Sequence, residues 1–200
     1  MLKLAGELLE GQFADHTTRL DAHTYQLMDE SRTGKNQILV PVQAFSTQVV
    51  TANRLVATVM VVPRAMTLSQ LVIDVTAAAA GKIARLGIYS VGANLYPGSL
   101  ILDAGTVALD TTGLKTLQIS GGQVLGKGIY FLAVISDGAP TLRSYQAAWS
   151  PLGSSTSALS ALTISVYKEN ENSAALADPF PSPDAEWTKG YGAVRISSLD

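Results

Sequence analysis

Cysteine is absent from this 200-residue chain, which removes disulfide scaffolds, thiolate metal sites and cysteine nucleophiles together. Charge is scarce too. Charged residues make up 15% of the chain and the net charge is -2, against roughly 25% charged residues in an average soluble protein. With no basic cluster along it, the chain has no electrostatic footprint for nucleic acid or an anionic membrane. No apolar run approaches the roughly 18 residues of a membrane span, and the longest, Leu55 to Val62, has the length of a strand. At the N-terminus Gly6, Glu7 and Glu10 interrupt before an apolar signal core can form, so no secretory signal is expected. Histidine occurs only as His16 and His23. The rest of the chain therefore cannot assemble a Ser-His-Asp arrangement or a His/Cys zinc set by itself.

What is present is a chain of 47% apolar residues, enough for one globular domain with a real core and a smaller appendage. From about Leu4 to Arg32 the spacing is helical. Phe13, Leu20 and Leu27 recur every seven residues, and Leu9, His16 and His23 recur every seven beside them. Together they alternate steps of four and three, the a/d pattern of a coiled coil. Gly34 is a credible helix stop. An oligomeric seam and an amphipathic helix packed on its own domain both satisfy this pattern. In a parallel trimer His16 and His23 would form layers on the axis, which set register or hold an ion; on a lone helix they are solvated or half-buried.

From Val49 onward the period changes to two. Leu71, Ile73 and Val75 alternate with polar neighbours, as do Ala84, Leu86 and Ile88, then Leu117 and Ile119, Ile164 and Val166, and Val194 and Ile196. Each reads as a strand with one buried and one wet face. Leu55 to Val62 and Ile129 to Ile135 are continuous apolar runs suited to central strands covered on both faces. Turn signals stand at Ala80-Gly81, Tyr96-Pro97-Gly98, Asp103-Ala104-Gly105, Gly121-Gly122 and Asp137-Gly138. Ala77 to Ala80 has room for one helical turn. Nine or ten short strands are expected, in an antiparallel β-sandwich of jelly-roll-like type behind an N-terminal α-helix of coiled-coil character. The division is residues 1–36 for the helix and 37–200 for the sandwich.

Asn170 to Trp187 breaks the pattern with Pro179, Pro181 and Pro183 around Phe180. It is either an ordered strap closing the sandwich or a functional loop. Asp103, Asp110, Asp137 and Asp178 sit at turns, where aspartate ordinarily bonds backbone; nothing in the sequence pairs two of them across a cleft. The glycines around Gly121-Gly122 lack the Lys-Ser/Thr that follows a phosphate loop. Aromatic rings stack on sugars as well as filling cores, and Tyr96, Phe180, Trp187 and Tyr191 are the candidates for a glycan platform.

The stretch Lys82 to Leu142 carries the most distinctive pattern: a GIYS strand, YPGSLILDAGTV across a turn, DTTGLKTLQI, and GKGIYFLAVISDGAP, followed later by ADPFPSP and GAVRI. It resembles β-sandwich domains that recur in tailed-bacteriophage virion proteins such as tail fibres and other appendages. That resemblance covers half to two-thirds of the chain and carries over no catalytic residue. It implies a non-enzymatic virion protein, assembled as a homotrimer through Leu9, Phe13, His16, Leu20, His23 and Leu27, which meets other virion proteins through its helix. The head would be exposed for host-surface or glycan attachment, and no cofactor, metal, nucleic acid or membrane insertion is expected. The alternatives are a capsid decoration or head-fibre protein with a mechanical role, a cellular carbohydrate-binding module, and an enzyme using paired carboxylates.

Overall fold

The structure, a computed structural model, describes residues 33–154 and 162–199. Leu9, Phe13, His16, Leu20, His23 and Leu27 lie outside the described residues, and so does the expected helix. The described chain is mainly β, with antiparallel sheets in a sandwich-like arrangement. Its strands are β1 (Asn36–Gln37), β2 (Val42–Val49), β3 (Leu55–Val62), β4 (Met66–Ala77), β5 (Ile83–Val91), β6 (Pro97–Ala108), β7 (Gly113–Leu125), β8 (Gly128–Ser136), β9 (Thr141–Ala147), β10 (Ser165–Lys168), β11 (Ala185–Trp187), β12 (Gly190–Tyr191) and β13 (Ala193–Leu199). A 3-10 turn at Ala93–Leu95 precedes β6.

One sheet runs β11-β10-β3-β8-β5-β6. In the other, β9 pairs with β2 and β4, and β4 pairs with β7. The strands β2 to β9 thus fall into two sets of four, β2-β9-β4-β7 and β3-β8-β5-β6. Every connection among them except β5 to β6 passes from one sheet to the other. The C-terminal strands are additions: β10 and β11 extend one sheet beyond β3, while β12 and β13 enter the other. β1 pairs Asn36 and Gln37 with Arg195 and Val194, and the Gly34 N–H donates to Ile196 O at 2.8 Å.

Alternation decides the core. Leu71, Ile73 and Val75 of β4, Leu86 and Ile88 of β5, Leu132 and Val134 of β8, and Val194 and Ile196 of β13 form one cluster shared by both sheets. Burial of each such side chain contributes roughly 1.5–3 kcal/mol. The other face of β3 and β8 is covered as well. Leu55, Ala57, Val59, Phe131, Ala133 and Ile135 form a second cluster with Tyr89, Leu176 and Phe180. This double coverage is why both strands read as near-continuous apolar runs, interrupted in β3 by Thr58.

Several expected turns are corrected. Asp103-Ala104-Gly105 lies inside β6: Leu86 faces Gly105 and Gly87 faces Asp103, so Ala104 is the extra residue of a bulge. Gly105 takes φ +89°, a conformation that only glycine adopts without strain. Gly121-Gly122 lies inside β7, where Ile119 to Gly122 stand against Ser69 alone. Gly121 and Gly122 also take positive φ, +76° and +74°, but at both places the chain resumes its strand instead of reversing. Ala77–Ala80 forms no helical turn, because Ala77 ends β4 and the Ala79 N–H is taken by Leu109 O at 2.9 Å. Pro97 and Gly98 open β6 and do not form a turn. Strand structure begins before Val49, since β2 starts at Val42.

Candidate functional site

Asn170 to Trp187 is a strap laid over the β5–β6 hairpin. Tyr89 Oη donates to Ala177 O at 2.7 Å, Phe180 N–H to Gly98 O at 2.9 Å, Leu100 N–H to Asp178 Oδ1 at 2.9 Å, and Arg85 Nε to Ser173 O at 3.0 Å. Phe180 meets the Tyr89 ring edge-to-face at 5.2 Å. Burial, followed by the nearby Asp103 carboxylate, pushes the Tyr89 hydroxyl well above its ordinary range. The aspartates of this region hold backbone. Asp110 accepts from Gly81 N–H at 2.6 Å and Asp137 from Ile83 N–H at 2.7 Å. Asp103 takes both oxygens to Arg85 and accepts from Gly105 N–H.

The four platform candidates are not brought to one surface. Phe180 and Tyr191 are buried. Trp187 is half-buried, packed edge-on against Tyr191 at 5.6 Å and Tyr167 at 6.4 Å. Tyr96 is also half-buried, and its hydroxyl donates to Glu186 Oε1 at 3.0 Å, a bond that raises its pKa. Trp187 and Tyr191 touch, whereas Phe180 belongs to the strap.

A different place combines exposed apolar and polar groups: the fork where β4 changes partner. β4 pairs with β13 from Met66 to Val72 and with β9 at Val75 and Ala77. β9 in turn pairs with β12 at Ser144 and Tyr145. The chain crosses from β9 to β4 through Gly192, at φ +78°. A Cβ there would fall 2.6 Å from Leu132 Cδ2 and 3.1 Å from Val72 O, so glycine is required. The diverging strands leave a cleft of about 190 Å³ whose lining includes Asn36, Phe45, Asp74, Leu114 and Arg143. Phe45 and Leu114 are 62% and 60% exposed, large values for such side chains. Arg143 Nε approaches Asp74 Oδ2 at 3.4 Å, a long ion pair. Arg195 donates twice to Asn36 Oδ1, at 3.1 and 2.9 Å.

Nothing in the sequence marks these five residues as a site. Phe45 sits in VQAFSTQV, whose polar neighbours hide an edge strand, and Asp74 and Arg143 are 69 residues apart. Only the insertion of β12 and β13 creates the fork. No metal-binding group of three or more His, Asp or Glu side chains occurs among the described residues, and no described helix is long and apolar enough to cross a membrane. No family model, curated protein or solved structure matches the chain.

Proposed function

We propose that this is a non-enzymatic virion structural protein of the tailed-phage appendage type, a fibre or tail component with a jelly-roll head. In this reading the N-terminal segment fastens or trimerises the chain, and the head faces outward for attachment to a host surface or glycan. The observation that carries it is strand order. The sets β2-β9-β4-β7 and β3-β8-β5-β6, with β5 to β6 the one connection kept within a sheet, have the arrangement of two Greek keys. Double-sheet jelly rolls of this kind recur in viral capsid and lectin domains. The stretch with the phage-appendage pattern, Lys82 to Leu142, supplies all of β5 to β8 and the start of β9. Fold alone does not assign a function; the reading rests on fold and sequence pattern together.

Assembly is testable on the full chain. The seam of Phe13, Leu20 and Leu27 offers three large side chains per copy to a shared axis, each worth roughly 1.5–3 kcal/mol on burial. A helix of this length is marginal alone in water. Sedimentation equilibrium at neutral pH should give a trimer of 21.0 kDa chains, and Leu20→Asp should give a monomer with an unchanged β melt. A monomeric parent chain would contradict the trimer.

A further inference from the structure

We propose that the cleft at the β4 fork binds the vicinal diol of one neutral sugar ring. The proposal rests on the attachment reading above and gives it a site. The cleft presents one exposed aromatic face, Phe45 on β2, and one exposed aliphatic wall, Leu114 on β7. Between them lie Asp74 and Arg143, which share a single long contact. No further hydrogen bond of either side chain occurs among the described residues, so Asp74 Oδ1 can accept and both terminal NH2 groups of Arg143 can donate. Arg195 holds Asn36 by its carbonyl oxygen, which leaves the Asn36 amide NH2 as another donor.

This set of groups selects its ligand by charge. A carboxylate ligand would be repelled by Asp74 and an ammonium by Arg143. A hydroxyl suits both neighbours, because it donates to the carboxylate and accepts from the guanidinium at once. Two adjacent hydroxyls span the pair, while the C–H face of the ring lies on Phe45. Size agrees. A cleft of about 190 Å³ is smaller than the roughly 300–1,000 Å³ of drug-sized pockets, and it admits one ring with the rest of any chain directed to solvent. At Gly192, φ +78° is open to glycine without strain, and the space a Cβ would take lies against Leu132 and Val72, so the backbone beside the cleft is closely packed.

The test is saturation-transfer NMR on the full chain with the methyl glycosides of glucose, galactose, mannose and rhamnose. Tetrahydropyran-2-methanol, a ring without a vicinal diol, is the control. Transfer to the ring protons of at least one glycoside and none to the control is expected. Asp74→Asn and Phe45→Ala should each weaken binding about tenfold, the loss expected for a charged hydrogen bond or a stacked ring, and Arg143→Gln should do the same. Trp187→Ala should leave it unchanged. Absence of transfer to every glycoside overturns the proposal, as does transfer that survives Asp74→Asn and Phe45→Ala. Nuclear Overhauser contacts from the Phe45 ring to residues 4–32 would assign the cleft to the chain's own N-terminal segment and also overturn it. A chain that trimerises and joins particles but binds no glycoside loses only the sugar site; one that binds glycosides but joins no particle loses only the virion reading.

Discussion

Leu176 occupies the space that a side chain at Gly87 would need: a Cβ on Gly87 would fall 2.2 Å from Leu176 Cδ1 and 2.4 Å from Leu102 O. The strap and the β5–β6 hairpin are thereby locked together. The leucine has the freedom to move, but the carbonyl of the paired strand does not. Gly87→Ala should therefore cost about 3 kcal/mol, the upper end of overpacking penalties, and should lower the thermal midpoint by roughly 6–12 °C. A midpoint within about 2 °C of the parent would show that the strap is not seated on β5.

Trp187 stands at the same boundary between core and surface. It is held by pairing with Ser165 and by edge contacts to Tyr167 and Tyr191. Trp187→Ala should destabilise by about 2–3 kcal/mol, somewhat below the value for a fully buried tryptophan. A calorimetric melt checks it. An unchanged midpoint together with lost glycan binding would return Trp187 to the role of a sugar platform.

Buried tyrosines set an alkaline limit. Tyr145 and Tyr191 both have pKa values raised by burial. The unfolded chain releases these protons near pH 10 while the folded chain still holds them. Their stabilising contribution is thus complete below about pH 10 and declines as pH rises beyond it. Tyr145→Phe and Tyr191→Phe should each flatten the fall of the thermal midpoint between about pH 9.5 and 11. Tyr191 Oη is buried with no hydrogen-bond partner among the described residues. At pH 7 Tyr191→Phe should therefore be neutral or stabilising by up to about 1 kcal/mol. A clear loss of stability at pH 7 would reveal a partner for that hydroxyl.

The strands most legible in the sequence are those whose environment is simplest. β4, β5 and β13 alternate because one face meets the core, and β3 and β8 run apolar because both faces are covered. β2 was illegible because it is an edge strand with Phe45 and Val49 turned to solvent, so its pattern carries no core signal. Glycine pairs reported positive φ without reporting whether the chain would reverse or bulge, which is why Gly121-Gly122 read as a turn. The cleft lay beyond reach for a different reason. Its groups come from β1, β2, β4, β7 and β9, and they meet only because the C-terminal strand wedges β9 away from β4 at Gly192. Among the aromatics, type and spacing did not separate Phe180, sealed against Tyr89, from Phe45, left open.

The virion assignment is tested most directly by locating the chain in assembled particles. Lysate from cells producing the protein in its native setting would be fractionated on a density gradient, and the particle fraction labelled with antibody against residues 37–200 for electron microscopy. The expected result is chain in the particle fraction, with antibody on the outside of intact particles at a fixed appendage or vertex position. Chain confined to the soluble fractions, with unlabelled particles, would contradict the assignment.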